Sequence, residues 1–284
     1  MKTLLILLSL SFGILNSGKA QFNDPLSGDY IRKPVPYRFV READVMWSKT
    51  IWRIIDLREK INLPLYYPTT KMDDRYSLID LLLYGIKKEG LTVYNPDEQN
   101  EFSKPMTWKE IEDKFGVRND SIPIEDPETG LTEIKIVKTE MNSSEVKKIM
   151  IKELWYFDKQ SSQLEVRILG LCPIREYQKT EISEENTESN EEPEMVMTKV
   201  FWVDFPSVRF LLASHFVFNP FNDAERMSFD NLFFKRRFSS YVYQESNVYD
   251  NRTIGEYKTG MDALLESNKI QDKIFALEHD LWEY

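Results

Sequence analysis

The sequence predicts an α+β fold: a helical N-terminal part, then a mixed, mainly antiparallel sheet region, then a long C-terminal helix. Three observations predict it. Apolar residues recur at helical spacing in the segments up to about residue 117 and again from Met261 onward. From about residue 133 the period switches to two, with Ile134 and Ile136 alternating with Glu133 and Lys135. Residues 153 to 177 then read as a hairpin, with ELWYF, a polar turn at Asp158 to Gln163, and LEVRILGL.

Taken in order, residues 1–20 have the form of an export signal. Lys2 gives a positive start, Leu4 to Leu15 is an apolar run too short to span a membrane, and Gly18 and Ala20 place small residues before a cleavage point. The only cysteine is Cys172, so none follows the apolar run to carry a lipid anchor. No later apolar run approaches the length of a membrane span, and direct membrane insertion is not expected. Residues 21–40 hold three prolines and no periodicity and are expected to form an extended arm. A disordered linker and an arm that docks on a neighbour both fit; Tyr30, Ile31, Val35, Tyr37 and Phe39 favour docking.

The N-terminal region, residues 41–132, reads as mainly helical. Trp47, Ile51, Ile54 and Ile61 fall at offsets of 0, 4, 7 and 14, which is one helical face, and a helix over about 43–61 is expected. Lys49, Arg53, Asp56 and Lys60 recur every three or four residues on another side. Pro64 and Pro68 stop it and leave a rigid exit carrying Leu65, Tyr66 and Tyr67. Ser77 with Asp80 caps a buried helix that Gly90 ends, and Leu91 to Tyr94 reads as a strand. Thr107 with Glu110 caps a third helix, which runs to Phe115 ahead of Gly116, and residues 118–132 read as loop.

The C-terminal region, residues 133–284, is expected to be α+β. Beyond the hairpin, Met197 to Phe205 reads as a strand, and Pro206 marks the start of a short helix over Ser207 to Leu212. Leu232 to Phe238 and Val242 to Tyr243 are aromatic but too short to assign. Met261 to Tyr284 is a helix by its recurrent Leu and Ile. Within this region lies an acidic loop, residues 179–196; seven glutamates lie between 181 and 194 without a basic residue, a block that repels itself and buries nothing.

Composition narrows the function. The net charge of −10 becomes −12 once Lys2 and Lys19 are cleaved away, and there is no basic stripe, so nucleic acid is not an expected partner. Intrachain disulfides are ruled out by the single cysteine. His215 and His279 stand 64 residues apart without zinc-ligand spacing. His215 is expected to pack or cap a helix and His279 to sit on a helix surface; Cys172 reads as a buried structural thiol. Asp73–Asp74 suits the dipole of the helix behind it better than acid–base work. Neither a nucleophile elbow, a phosphate loop nor a calcium loop is present. No catalytic residue, metal or cofactor is therefore expected.

Aromatic and arginine residues, the types that anchor interfaces, are abundant and clustered, with 17 Phe, 14 Tyr and 6 Trp in the chain. Tyr37, Trp47, Trp52, Arg53, Arg58, Tyr66 and Tyr67 are the candidate partner-interface residues. Phe233, Phe234, Arg236, Arg237, Phe238, Tyr241 and Tyr243 form a second cluster. Both a core and an interface role fit the tryptophans. A chain-assembly protein and a soluble periplasmic carbohydrate- or peptidoglycan-binding module with aromatic platforms are the two readings these residues allow.

The stretch Tyr37 to Pro68, YRFVREADVMWSKTIWRIIDLREKINLPLYYP, resembles the GldN/PorN family. Trp47, Lys49, Trp52, Arg53, Ile55, Asp56, Arg58, Glu59, Lys60, Asn62, Pro64, Tyr66, Tyr67 and Pro68 carry the likeness. LIDLLLYGIKKEG from Leu78, ELWYFDKQSSQLEVRILGLCPI from Glu153 and the stretch Val200 to Phe218 extend it over essentially the whole chain after the signal. The resemblance implies a non-enzymatic component of the type IX secretion and gliding-motility machinery, located in the periplasm. It implies a ring under the outer membrane, built from further copies of the chain with a GldK/PorK-like lipoprotein and contacted by a GldM/PorM-like periplasm-spanning protein.

Overall fold

Val45–Asp56, expected as the core of an aromatic helix, is a twelve-residue strand, β1. Five consecutive residues in it, Ile51 to Ile55, are buried. A strand buried on both faces loses its polar alternation, so its charged residues can fall by accident at helical spacing. The β-branched residues Val45, Thr50, Ile51, Ile54 and Ile55 are the strand signal the spacing concealed.

The computed structural model describes residues 33–280 except 71, 73–74, 99, 118, 126–131, 139–140, 179–194, 220–221 and 223–224. The export signal, the first part of the arm, Asp73–Asp74 and the glutamate block lie outside the described residues. After β1 the chain makes a short turn of helix, α1 (Leu63–Tyr66), and a cis Tyr67–Pro68 bond. Helix α2 (Leu78–Tyr84) starts where expected: the Asp80 N–H donates to the Ser77 hydroxyl at 3.1 Å. It widens into a π turn over Gly85–Glu89 and ends at Gly90, whose φ of +70° only glycine adopts freely. Strand β2 (Val93–Tyr94) and helix α3 (Trp108–Lys114) follow, the latter with the Thr107–Glu110 capping box.

Residues 119–125 and Thr132 depart from the expected loop. Strands β3 (Asn119–Glu125) and β4 (Thr132–Lys138) pair antiparallel as a separate hairpin. The long hairpin is as expected but longer, β5 (Val146–Asp158) with β6 (Gln163–Gln178). Strand β7 (Met195–Lys199) takes in Met195 and Val196, the end of the expected acidic loop. Strand β8 (Trp202–Asp204) runs straight into helix α4 (Phe205–Ser214), whose first turn holds Pro206 and is capped by the Asp204 side chain on the Ser207 N–H at 3.1 Å. A small hairpin of β9 (Phe216–Val217) and β10 (Met227–Ser228) precedes helix α5 (Phe229–Phe234). The remainder is β11 (Tyr241–Glu245), α6 (Ile254–Tyr257) and the long α7 (Met261–Asp280).

The main sheet is antiparallel in the order β11-β1-β5-β6-β8-β2, with β7 also on β6. The fold is α+β, as predicted, but one of its long interior strands, β1, comes from the region expected to be helical. One face carries the larger core: Ile55, Ile149, Ile151, Ile168, Leu171 and Val203 pack against α2, α4 and α5. At the β11 end of that face, Ile51 and Val242 pack against Ile270 and Ile274 of α7. The opposite face carries Trp52, Ile54, Met150, Cys172, Ile174 and Trp202. The loop after β2 covers part of it with Phe102. A Cβ on Gly170 would sit 2.6 Å from the Phe102 ring, so only glycine lets the two approach.

Between the two cores of the first face lies a seam of buried charge. Glu153, wholly buried, accepts from Arg236 at 2.8 and 3.2 Å and from the Trp155 indole at 2.9 Å. Arg53, 6% exposed, donates to the Ser240 hydroxyl at 2.8 Å and the Ser240 carbonyl at 2.9 Å. Burial lowers the Arg53 pKa and the nearby Glu153 charge opposes the shift. The seam fixes the chain between α5 and β11 onto the sheet, and its geometry is bidentate where Arg236 meets Glu153.

Candidate interaction surface

The seven candidate interface residues do not share one surface. Trp52 and Arg53 project from opposite faces of β1 and are each 6% exposed. The Trp52 indole donates to Glu101 at 2.7 Å, Lys152 closes on the same carboxylate at 2.5 Å, and its ammonium lies 5.1 Å from the ring. Both residues are therefore interior parts of this chain, on a strand and not on the expected helix. Trp47, further back on β1, is half-buried. Arg58 is exposed but held: its guanidinium takes Asp56 at 2.5 Å and reaches Glu176 at 3.6 Å.

Tyr66 and Tyr67 stack edge to face with centroids 5.0 Å apart. The Tyr66 hydroxyl donates to the Ser144 carbonyl at 2.9 Å. Tyr67 is 53% exposed and, with Pro68, Met72, Tyr76, Phe216 and Phe218, walls an apolar groove of about 340 Å³. Arg75 stands 4.6 Å over the Phe218 ring at its rim. His215 is a packed histidine: its ring lies edge-on to Tyr76 at 5.4 Å, with Nδ1 3.0 Å from the Leu211 carbonyl. His279 lies exposed on α7, and Cys172 is fully buried, as expected of both.

Tyr37 stands apart from the rest, on the described part of the arm. Residues 33–40 form no regular element. They lie against the same chain. Arg209 of α4 donates to the Val35 carbonyl at 2.7 Å and places its guanidinium 4.3 Å from the Tyr37 ring centroid. The Arg167 guanidinium of β6 lies 5.3 Å from the same ring centroid, and Arg167 donates to the Arg38 carbonyl. Phe234 is 6.4 Å away, centroid to centroid. Burial raises the Tyr37 pKa, and the charge of Arg209 pulls it partly back. Arg38 reaches Asp158 at 3.5 Å across the β5–β6 turn.

Magnitudes show how firmly this arm is held. One charge-assisted bond contributes about 1.5–3 kcal/mol, a cation–π pair about 0.5–2, and an exposed ion pair about 0–1. Ordering the backbone costs about 1–2 kcal/mol per residue. Gains and cost are of the same order.

Sequence reading missed the groups that receive the arm. Arg209 is 5% exposed and paired with Asp230 at 2.8 and 3.1 Å. Its signal was present: an arginine amid the apolar residues Val208, Phe210, Leu211 and Leu212 of a helix needs a buried partner. The alternation Phe216–Phe218 was the corresponding signal for the groove at Tyr67.

Among the described residues no helix is long and apolar enough to cross a membrane. A family model described as "Gliding motility associated protein GldN" matches residues 40–283. No curated protein sequence matches the chain.

Proposed function

The chain belongs to the GldN family of gliding-motility-associated proteins, and from that membership we propose that it is a non-enzymatic structural subunit of the type IX secretion and gliding apparatus. In this reading it sits in the periplasm beneath the outer membrane and forms a ring with a GldK/PorK-like lipoprotein and with further copies of itself. A GldM/PorM-like protein contacts the ring from the side of the inner membrane. The chain carries load through packed surfaces.

The observation that carries this is the extent of the match, from residue 40 to residue 283, which spans every element from β1 to α7. The association with gliding attaches to the folded body as a whole. The architecture supports a mechanical part. Strands β1, β5 and β6 are long and hydrogen-bonded side by side, and the buried charge seam ties the chain between α5 and β11 to them. The body also leaves large apolar side chains outside: Met46, Tyr67, Met72, Met197 and Phe275 are all more than half exposed. Trp52, one of the aromatic residues a sugar-stacking module could have presented, is closed off inside.

The test is genetic. Deleting the gene in the native host should abolish spreading on agar and release of proteins to the medium, and the full-length chain supplied in trans should restore both. Undiminished spreading and secretion in the deletion strain would exclude the role.

A further inference from the structure

We infer that residues 33–38 are an exchangeable arm, and that in the assembled state the arm of one copy occupies the Arg167–Arg209–Phe234 groove of the next copy. The inference rests on the reading of the chain as a subunit that assembles with copies of itself, and it names the contact.

The occupant is visible on its site. The arm is seated on its own chain through two side chains, Tyr37 and Arg38, and two carbonyls, those of Val35 and Arg38. Nothing in these contacts depends on the arm and groove being covalently joined; any copy of the arm satisfies them. Val35 and Phe39, on either side of Tyr37, stay 49% and 84% exposed, so the docked arm still shows apolar surface.

The groove is not completed by the arm in this arrangement. A cavity of about 430 Å³ remains between Pro36–Arg38, the β6 stretch Leu164–Ile168 and Phe233, Phe234 and Arg236. The buried Nε of Arg167 has no hydrogen-bond partner among the described residues. The far edge of Gln163–Ile168 has no strand partner among them either, since β8 joins β6 at Gly170–Leu171 and β7 at Ile174–Gln178. An open strand edge invites pairing with another chain unless something covers it. The arm is its cover.

The connection allows the exchange. Phe39 is exposed and Phe39–Val40 belong to no regular element, whereas from Arg41 the chain is fixed: Glu42–Asp44 is a short 3-10 turn closed by the Arg41–Asp44 pair at 2.8 Å, and Asp44 is fastened to the β5–β6 turn by the Lys159 N–H at 2.9 Å and the Gln160 amide at 2.8 Å. A surface hinge thus separates the arm from a fixed point. Swapping an identical element is a low-cost route to association, and when each copy gives its arm to the next the contact is heterologous, the kind that closes into a ring.

Two chains with one added cysteine each test this, Arg38→Cys on one epitope tag and Gln160→Cys on another; the two native side chains meet at 3.3 Å in the arm's seat. The native Cys172 is buried and stays silent. The two chains are co-expressed in the native host, and the envelope is treated with a short bismaleimide. A species of twice the chain mass bearing both tags is expected, and Tyr37→Ala in the Arg38→Cys chain should reduce it at least tenfold. A double Arg38→Cys, Gln160→Cys chain, cross-linked within itself, should then fail to enter the high-mass assembly. If the chain is found in a high-mass assembly but no mixed species forms, or if the internally locked chain still assembles, arm exchange is overturned and the ring reading survives. If the chain is found only as a single copy with no mixed species, both are overturned.

Discussion

The interior holds a thiol, an indole and several charges whose behaviour follows from burial. Burial pushes the Cys172 thiol up to about 12 from an ordinary value of 9.0. Below pH 9 both folded and unfolded thiols are protonated and the group contributes nothing to pH dependence. Between about 9 and 12 the unfolded thiol releases its proton while the folded one keeps it, so this group makes stability fall as pH rises through that window. Ellman's reagent at pH 8 should leave the native chain unlabelled and label one thiol in urea; rapid labelling of the native chain would contradict the buried placement. Trp52 sits in the same core, with Glu101 and Lys152 closed around it. Trp52→Ala should cost about 3–5 kcal/mol, read as a lower urea midpoint at unchanged slope. A neutral result would mean that the indole faces a partner instead. The roles of Cys172 and His215 were legible because each lies in an apolar stretch without a companion motif. The role of Trp52 was not, because a tryptophan among isoleucines suits a core and an interface equally.

Elements were legible where a cap declares them and obscure where burial erases the pattern. Ser77 and Thr107 announce α2 and α3, and both caps form as written. The turn at Asp158 to Gln163 places the β5–β6 hairpin, and the aliphatic repeat from Met261 places α7. In β1, by contrast, Ile51 and Ile55 lie on one buried face while Trp52 and Ile54 lie on the other, so no polar side marks the period of two. Strand β3 hid in turn-rich composition, with Pro123 inside it, whereas β4 showed in the alternation of Ile134 and Ile136. Helices α4 and α5 are joined by the Arg209–Asp230 pair, at most 6% exposed on either side chain. Arg209→Met alone leaves the Asp230 charge without its partner and should cost about 3–5 kcal/mol. Adding Asp230→Leu should restore most of that loss. A double variant no better than the single one, in urea denaturation, would show that the pair is not the tie between the two helices.

For the whole molecule, the α+β class and the family were both legible: the class from the change of period, the family from segments spread along the chain. What could not be read was how the chain folds back on itself. Val35 meets Arg209 and Arg53 meets Ser240 across more than 170 positions of sequence, and no local pattern encodes such a meeting. Hence the expectation of an arm reaching outward, where its described part lies on its own body. The reading of the chain as a structural ring subunit leads to one direct measurement. Epitope-tagged chain is drawn from detergent-solubilised envelopes of the native host, its companions are identified by mass spectrometry, and the particles are imaged by electron microscopy. The account predicts ring-shaped particles of many copies that contain an outer-membrane lipoprotein; recovery of the chain unaccompanied and at the size of one copy would contradict it.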